Sequence, residues 1–280
     1  MLRSMHELEG YAIRANDGLI GHVKDFYFDD AAWVIRYLVV EAGSWLNSRK
    51  VLISPYAIGQ ADWEERILPV SLSKEQVRES PGIDTHKPVS RQHEIEYLNH
   101  YNYPRYWGGA GLWGEDAYPG ALLTGIGYGA ADKEFAIAQA AEARKVYEAE
   151  QCHNSGSHLR SCNVVMDYHI EATDGDIGHV EGMLVDEATW AIRYLIVNTS
   201  NWWLGHKVLI VPQWIADVNW FESTVTVNLT RAAVKAAPIF DSAAHLDREM
   251  EMDVYLHYGR PGYWASELKR QAAKVQRTGR

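Results

Sequence analysis

Residues 224–229, TVTVNL, alternate apolar and polar, with Val225, Val227 and Leu229 on one face and Thr224, Thr226 and Asn228 on the other. A period of two marks a strand covered on one side. LPVSL at 68–72 does the same with Leu68, Val70 and Leu72, and leaves Pro69 on the opposite face, a placement suited to an edge or bulged strand. VIRYLVV at 34–40 is different: it is apolar on both faces apart from Arg36, so something must cover its second side. Asp17-Gly18 and Asp174-Gly175 stand between strand-like runs as hairpin signals. Gly21 and Gly178 fall inside the next strand, where glycine marks a bulge or tight bend. Ser73 followed by Gln76 begins a short helix as a capping box, and Pro81 and Pro238 end such helices.

These signals come in pairs because the chain is a duplication. An offset of 157 runs without a gap from residues 1–107 to 158–264, with 41 identities in 107 pairs. LRS at 2–4 returns at 159–161, KVLI at 50–53 returns at 207–210, and HYNYPRYW at 100–107 answers HYGRPGYW at 257–264. The intervening stretch differs in kind. Residues 108–130 are Gly-rich and aromatic and read as a loop. Residues 132–151, DKEFAIAQAAEARKVYEAEQ, are rich in helix formers behind Asp132 as a plausible N-cap.

About six short strands and one small helix per copy predict a mainly β protein of two small six-stranded antiparallel barrels, since closure removes exposed edges. The expected domains are a first barrel at 1–84, its helical and aromatic tail at 85–107 and a linker at 108–157. A second barrel at 158–241 and its tail at 242–280 follow. A tail this short does not fold alone. Each is expected to lay Tyr106–Trp107 or Tyr263–Trp264 on a barrel, covering the second face of the IRYL strand.

Composition narrows the function classes. At 280 residues, 47% hydrophobic and 23% charged, the profile is that of a soluble globular protein. The net charge of -10, with no block of Lys or Arg, argues against nucleic acid and anionic lipid as partners. No apolar run approaches the roughly 18 residues of a membrane helix, and MLRSMHELEG lacks a signal-peptide core. A cytoplasmic location is the expectation. Two cysteines, Cys152 and Cys162, agree with a reducing compartment.

The run DGxIGHV, then an Asp, then WxIRYLVV, then KVLIxP, is similar to the PRC-barrel family, and residues 1–84 and 158–241 each resemble one module. The resemblance implies a small barrel that serves as an adaptor, as in the cytoplasmic part of the photosynthetic reaction-centre H subunit or the C-terminal module of a ribosome maturation factor. This chain shows neither the membrane helix of the first nor the additional N-terminal barrel of the second. The family supplies no catalytic residues to transfer.

Several residues are candidates on their own chemistry. Arg36 and Arg193 stand in apolar strands, where a guanidinium either grips a partner's carboxylate or pairs internally with Asp29 or Asp186. The internal pairing is the expectation, because charges in such strands are normally paired. Trp45, Trp202 and Trp203 occupy loops before KVLI, where tryptophan either anchors an interface or closes the barrel mouth. Trp63 and Trp220 precede the final strand and are expected in the core. His22 and His179 have no second ligand at short spacing, so a metal role is not the expectation. Cys152, His153, His158 and Cys162 are metal-binding types without paired spacing.

GAGLWG at 109–114 spells GxGxxG but follows no strand and opens no helix, as a dinucleotide site requires. There is no GxSxG, P-loop or HExxH. The expected function is therefore a non-catalytic structural or protein-interaction module without cofactor or resident metal. Its partner would be another protein or a second copy in a homodimer. The candidate surface comprises Trp45, Trp202, Trp203, Arg36, Arg193, Tyr106, Trp107, Tyr263 and Trp264. Two alternatives stand beside it: a small-ligand or metal sensor using His22/His179 or the cleft between barrels, and a peripheral component of a photosynthetic or electron-transfer complex.

Overall fold

Short β-strands carry the chain, in a computed structural model that describes residues 1–83, 89–109, 111–119, 158–199, 206–241 and 246–265. The helix expected over 132–151, Trp202, Trp203, Cys152 and His153 lie outside the described residues. By contacts, Arg3–Val165 and Leu184–Arg193 cluster in one compact unit, and Met166–Met183 with the residues from Tyr194 onward form the other.

The first copy begins with β1 (Leu2–Ser4), α1 (Met5–Leu8), β2 (Ala12–Ala15), β3 (Gly18–Asp29) and β4 (Val34–Ala42). It continues with β5 (Lys50–Ile53), β6 (Ile67–Pro69), α2 (Lys74–Arg78) and α3 (Arg91–His100). The second opens with β7 (Leu159–Ser161), α4 (Cys162–Val165), β8 (His169–Ala172), β9 (Gly175–Asp186), β10 (Ile192–Asn198) and β11 (Lys207–Ile210). It ends with β12 (Ile215–Asn219), β13 (Thr224–Val227), α5 (Arg231–Lys235) and α6 (Arg248–His257).

Two sheets result. One runs β5-β4-β3-β2-β6, with β7 added to β3; the other runs β11-β10-β9-β8-β13-β12, with β1 added to β9. The strand totals are thus six and seven, and each sheet includes the opening strand of the other copy. The expectation of antiparallel pairing holds for β2–β3, β3–β4, β4–β5, β8–β9, β10–β11 and β12–β13, but β6 runs parallel to β2, and β13 parallel to β8. The chain leaves β5 through a one-turn 3-10 helix at Pro55–Ala57 and returns in the direction of β2. Pro69 lies in the end strand of its sheet order, where a missing N–H is tolerated.

Local sequence explains the joints. Gly18 and Gly175 adopt φ of +135° and +130°, the conformations the Asp-Gly turns require. The Asp17 and Asp174 carboxylates each accept a backbone N–H at the start of the following small helix, from Lys74 at 2.8 Å and Arg231 at 2.7 Å. The Ser73–Gln76 capping box forms in both directions. Gly21 meets a need for space: a Cβ there would lie 1.9 Å from the Glu41 carbonyl oxygen, and at Gly178 2.0 Å from that of Asn198. The cores follow the alternation, since Leu68, Val70, Leu72, Val225, Val227 and Leu229 are all buried. Every residue of β4 from Val34 to Val40 is buried, including Arg36.

Candidate functional site

The strongest concentration of buried polar chemistry lies where each tail meets its β4-type strand, and it occurs in both copies. Arg36 is 2% exposed. Its Nη2 donates to Asp29 Oδ2 at 3.2 Å and its Nη1 to the Leu112 carbonyl at 2.6 Å. The guanidinium lies 3.9 Å from the Tyr106 ring centroid and 4.8 Å from that of Trp113, two cation–π contacts with rings set nearly at right angles. Asp29 is held in turn by the β3–β4 turn, where its Oδ1 accepts from the Ala31 and Ala32 amides at 3.0 and 3.3 Å. Trp33 closes that turn with φ of 54° and packs against Phe28.

Copy two repeats the pair. Arg193 donates to Asp186 Oδ2 at 3.1 Å and to Thr189 Oγ1 at 3.3 Å, while Asp186 Oδ1 accepts from the Ala188 and Thr189 amides. Burial alone would raise the Asp186 carboxyl, but the Arg193 charge and these hydrogen bonds hold it below the usual range. The acids named from sequence are the ones the arginines meet.

Beside this pair, α3 places Glu94 against β4. Glu94 is 2% exposed; it accepts a short hydrogen bond from the Tyr106 hydroxyl and pairs with Arg91 at 3.0 Å. Arg91 stacks on Trp107 at 4.1 Å. Burial pushes the Glu94 carboxyl up to about 7, against the lowering influence of Arg91, the Tyr106 hydrogen bond and Arg36, with Asp29 adding to the rise. In the second copy Glu251 Oε1 accepts from the Tyr194 and Tyr263 hydroxyls, both at 2.9 Å, and pairs with Arg248 at 3.1 Å. Arg248 stacks on Trp264 at 4.6 Å. The copies differ at the strand tyrosine: the hydroxyl of Tyr37, the counterpart of Tyr194, is buried without a hydrogen-bond partner.

The tails cover the second face of the IRYL strands, as their length required. The Tyr97 ring meets Tyr37 edge-on at 5.0 Å, and its hydroxyl donates to Leu52 O and accepts from the Ser54 amide. In copy two, Tyr255 packs on Tyr194 and Trp214. His100 and His257 tie the two tails to α2 and α5 through the carbonyls of Gln76 and Ala233, at 3.0 and 2.8 Å.

The remaining candidates are dispersed. Trp45 is half-buried, its indole N–H donating to Ile20 O at 2.8 Å with the Lys74 ammonium 4.5 Å from its ring. Tyr106 is buried, and Trp107, Tyr263 and Trp264 are half-buried within the clusters above. Trp63 and Trp220 are half-buried rather than in the core, because each sits in the turn ahead of the strand and not in the sheet, its ring against Tyr11 or Tyr168. His22 is exposed; His179 is half-buried, with His169 as its cross-strand partner. His158 lies 3.5 Å from Asp30, and Cys162 is buried. Among the described residues no three His, Cys, Asp or Glu side chains stand together.

Within the GxGxxG motif Gly111 and Gly114 close a tight turn, and its glycines answer to crowding. A Cβ on Gly109 would approach Gly114 within 2.2 Å, and one on Gly111 would approach the Asp116 oxygen within 2.3 Å. The turn drives Trp113 inward, where it is 1% exposed and its indole donates to Thr189 O at 2.8 Å.

Glu94, Glu251, Arg91 and Arg248 escaped the sequence reading. A signal existed: in tails that otherwise differ widely, Arg, Glu, His, Tyr, Pro, Tyr and Trp recur at 91, 94, 100, 101, 104, 106 and 107 and again 157 residues on. In chemical terms each cluster is a set of carboxylates already bonded to arginine and tyrosine under an aromatic cover. It serves to join tail to sheet.

Compared with known proteins, residues 2–77 match the family model for the PRC-barrel domain. No curated protein matches the chain.

Proposed function

We propose, starting from the PRC-barrel domain at residues 2–77, that the chain is a non-catalytic scaffold that binds another protein through its exposed loops. The observation that carries this reading is where the polar groups point. Arg36 and Arg193, with the carboxylates of Asp29, Asp186, Glu94 and Glu251, are turned inward and ion-paired, while Arg91 and Arg248 reach their acids from the rim. By contrast Phe221, at the tip of the β12–β13 hairpin, is 98% exposed. Its backbone is fixed by Asn219, whose Oδ1 accepts from the amides of Phe221 and Glu222 at 3.1 Å. A rigidly presented aromatic residue is a natural interface anchor. The test is recovery of a stoichiometric complex from the native lysate with the intact chain. The reading expects a partner that Phe221→Ser loses while its melting temperature stays unchanged. Repeated recovery of neither a partner nor a self-assembly contradicts it.

A second reading, a metal-responsive binding role, draws support from the His169–His179 cross-strand pair. Two imidazoles on one sheet face offer two ligands of a transition-metal site. Calorimetric titration with zinc would then show binding that His179→Ala abolishes, and no heat above buffer would exclude it.

A further inference from the structure

Inside the first compact unit, the backbone contacts that link the first copy to the second come in matched pairs. The Ile35 amide donates to Trp190 O at 2.8 Å, and the Ile192 amide to Trp33 O, also at 2.8 Å. Between them Val34 and Ala191 form an antiparallel bridge. Adding the offset of 157 to Val34 gives Ala191, and it converts the first hydrogen bond into the second. The same rule relates two further bonds: Asp30 N to His158 O at 2.9 Å and Glu187 N to Met1 O at 3.0 Å. It also relates two ion pairs, Arg160 Nε–Asp30 at 2.9 Å and Arg3 Nε–Glu187 at 3.0 Å. Finally β7 adds to the end of β3, with Tyr27 opposite Ser161, and β1 adds to β9.

When residue i of one copy contacts residue j of the other, and j contacts i in return, the interface is self-complementary, as in a two-fold dimer. We infer that this surface, made of the LRS strand and the β3–β4 or β9–β10 turn, is a pairing surface whose partner is a second copy of the same repeat. The chain is a dimer of modules made covalent, and its covalent continuity between the copies is not what holds them together. This goes beyond the scaffold reading, since it names a partner for one defined face. It also explains why LRS stands in front of both copies: Arg3 and Arg160 each meet an acid on the opposite copy. One asymmetry strengthens one side. Asp25 accepts from Ser161 Oγ at 2.6 Å and from the Asn163 amide at 3.2 Å, whereas its counterpart is Gly182.

The experiment inserts a specific protease site between Ala141 and Glu142 of the full chain and cleaves it to completion. The inference expects both pieces to co-elute as a one-to-one complex at the volume of the uncut protein, and to remain together on dilution to low micromolar concentration. In the same cleaved protein, Arg3→Glu with Arg160→Glu should weaken association by about tenfold or more, and adding Glu187→Arg with Asp30→Arg should restore it. Pieces that separate on cleavage overturn the inference. So does a charge reversal that leaves the uncut chain folded and the cleaved complex as tight as before.

Discussion

Replacing Glu94 by Gln gives a pH signature that no role other than a buried, tail-anchoring carboxyl produces. In the unfolded chain the group titrates near 4.5, and in the folded protein burial moves it to about 7. Between those values the folded state holds more protons than the unfolded state, so stability falls as pH rises. The contribution is fully present below pH 4.5 and lost by about pH 7. The gap corresponds to about 3 kcal/mol for a group this thoroughly buried. Gln carries no charge, so it lacks this slope while keeping an oxygen that can accept from Tyr106. At roughly 2–4 °C per kcal/mol for a unit of this size, the melting temperature of the wild type relative to Glu94→Gln should fall by about 6–12 °C between pH 4.5 and 7.5. Parallel thermal melts by circular dichroism across that range measure it. A difference that stays constant, or that grows in favour of the wild type as pH rises, refutes the reasoning. It would mean that Arg91 and Tyr106 stabilise the carboxylate more than burial destabilises it.

Two other perturbations follow from the packing. Gly21→Ala sets a methyl group against the Glu41 carbonyl, a backbone atom that cannot rotate away, and should cost about 2–3 kcal/mol in urea denaturation, with Gly178→Ala doing at least as much because its φ of +134° is also strained. Trp113→Ala empties a buried site between Arg36, Tyr56 and Tyr106 and should cost about 3–5 kcal/mol; a surface-like change under 1 kcal/mol would show that the Gly111–Gly114 turn is not packed as described.

Much of the fold was legible because its signals are local. Alternation at Val225, Val227 and Leu229 fixes a buried face whatever the partner strand, and Ser73 with Gln76 makes its capping box from four consecutive residues. The demand for cover over Tyr37 was legible too, since an apolar run without alternation has no other meaning. The exchange of β1 and β7 was not. The LRS letters fit the end of β3 and the end of β9 alike, and only three-dimensional closure decides which one each joins. Glu94 was hidden for a different reason: RQHEIEYLNH carries so much charge that it reads as a solvated helix, and its burial depends on where Pro104 and Tyr106 turn the tail. Trp63 and Trp220 misled because an aromatic residue next to a core strand need not point with it.

The central claim is that the repeated charged residues build the scaffold by pairing inward, and a double-mutant cycle on Asp29 and Arg36 tests it most directly. Asp29→Asn, Arg36→Met and the double variant would be compared by denaturant unfolding. Each single change should be strongly destabilising, about 3 kcal/mol or more, because it strands one buried charge. The double variant should recover part of that loss, giving a coupling energy of about 1–3 kcal/mol. Additive losses, with a coupling within about 0.3 kcal/mol of zero, would contradict the account.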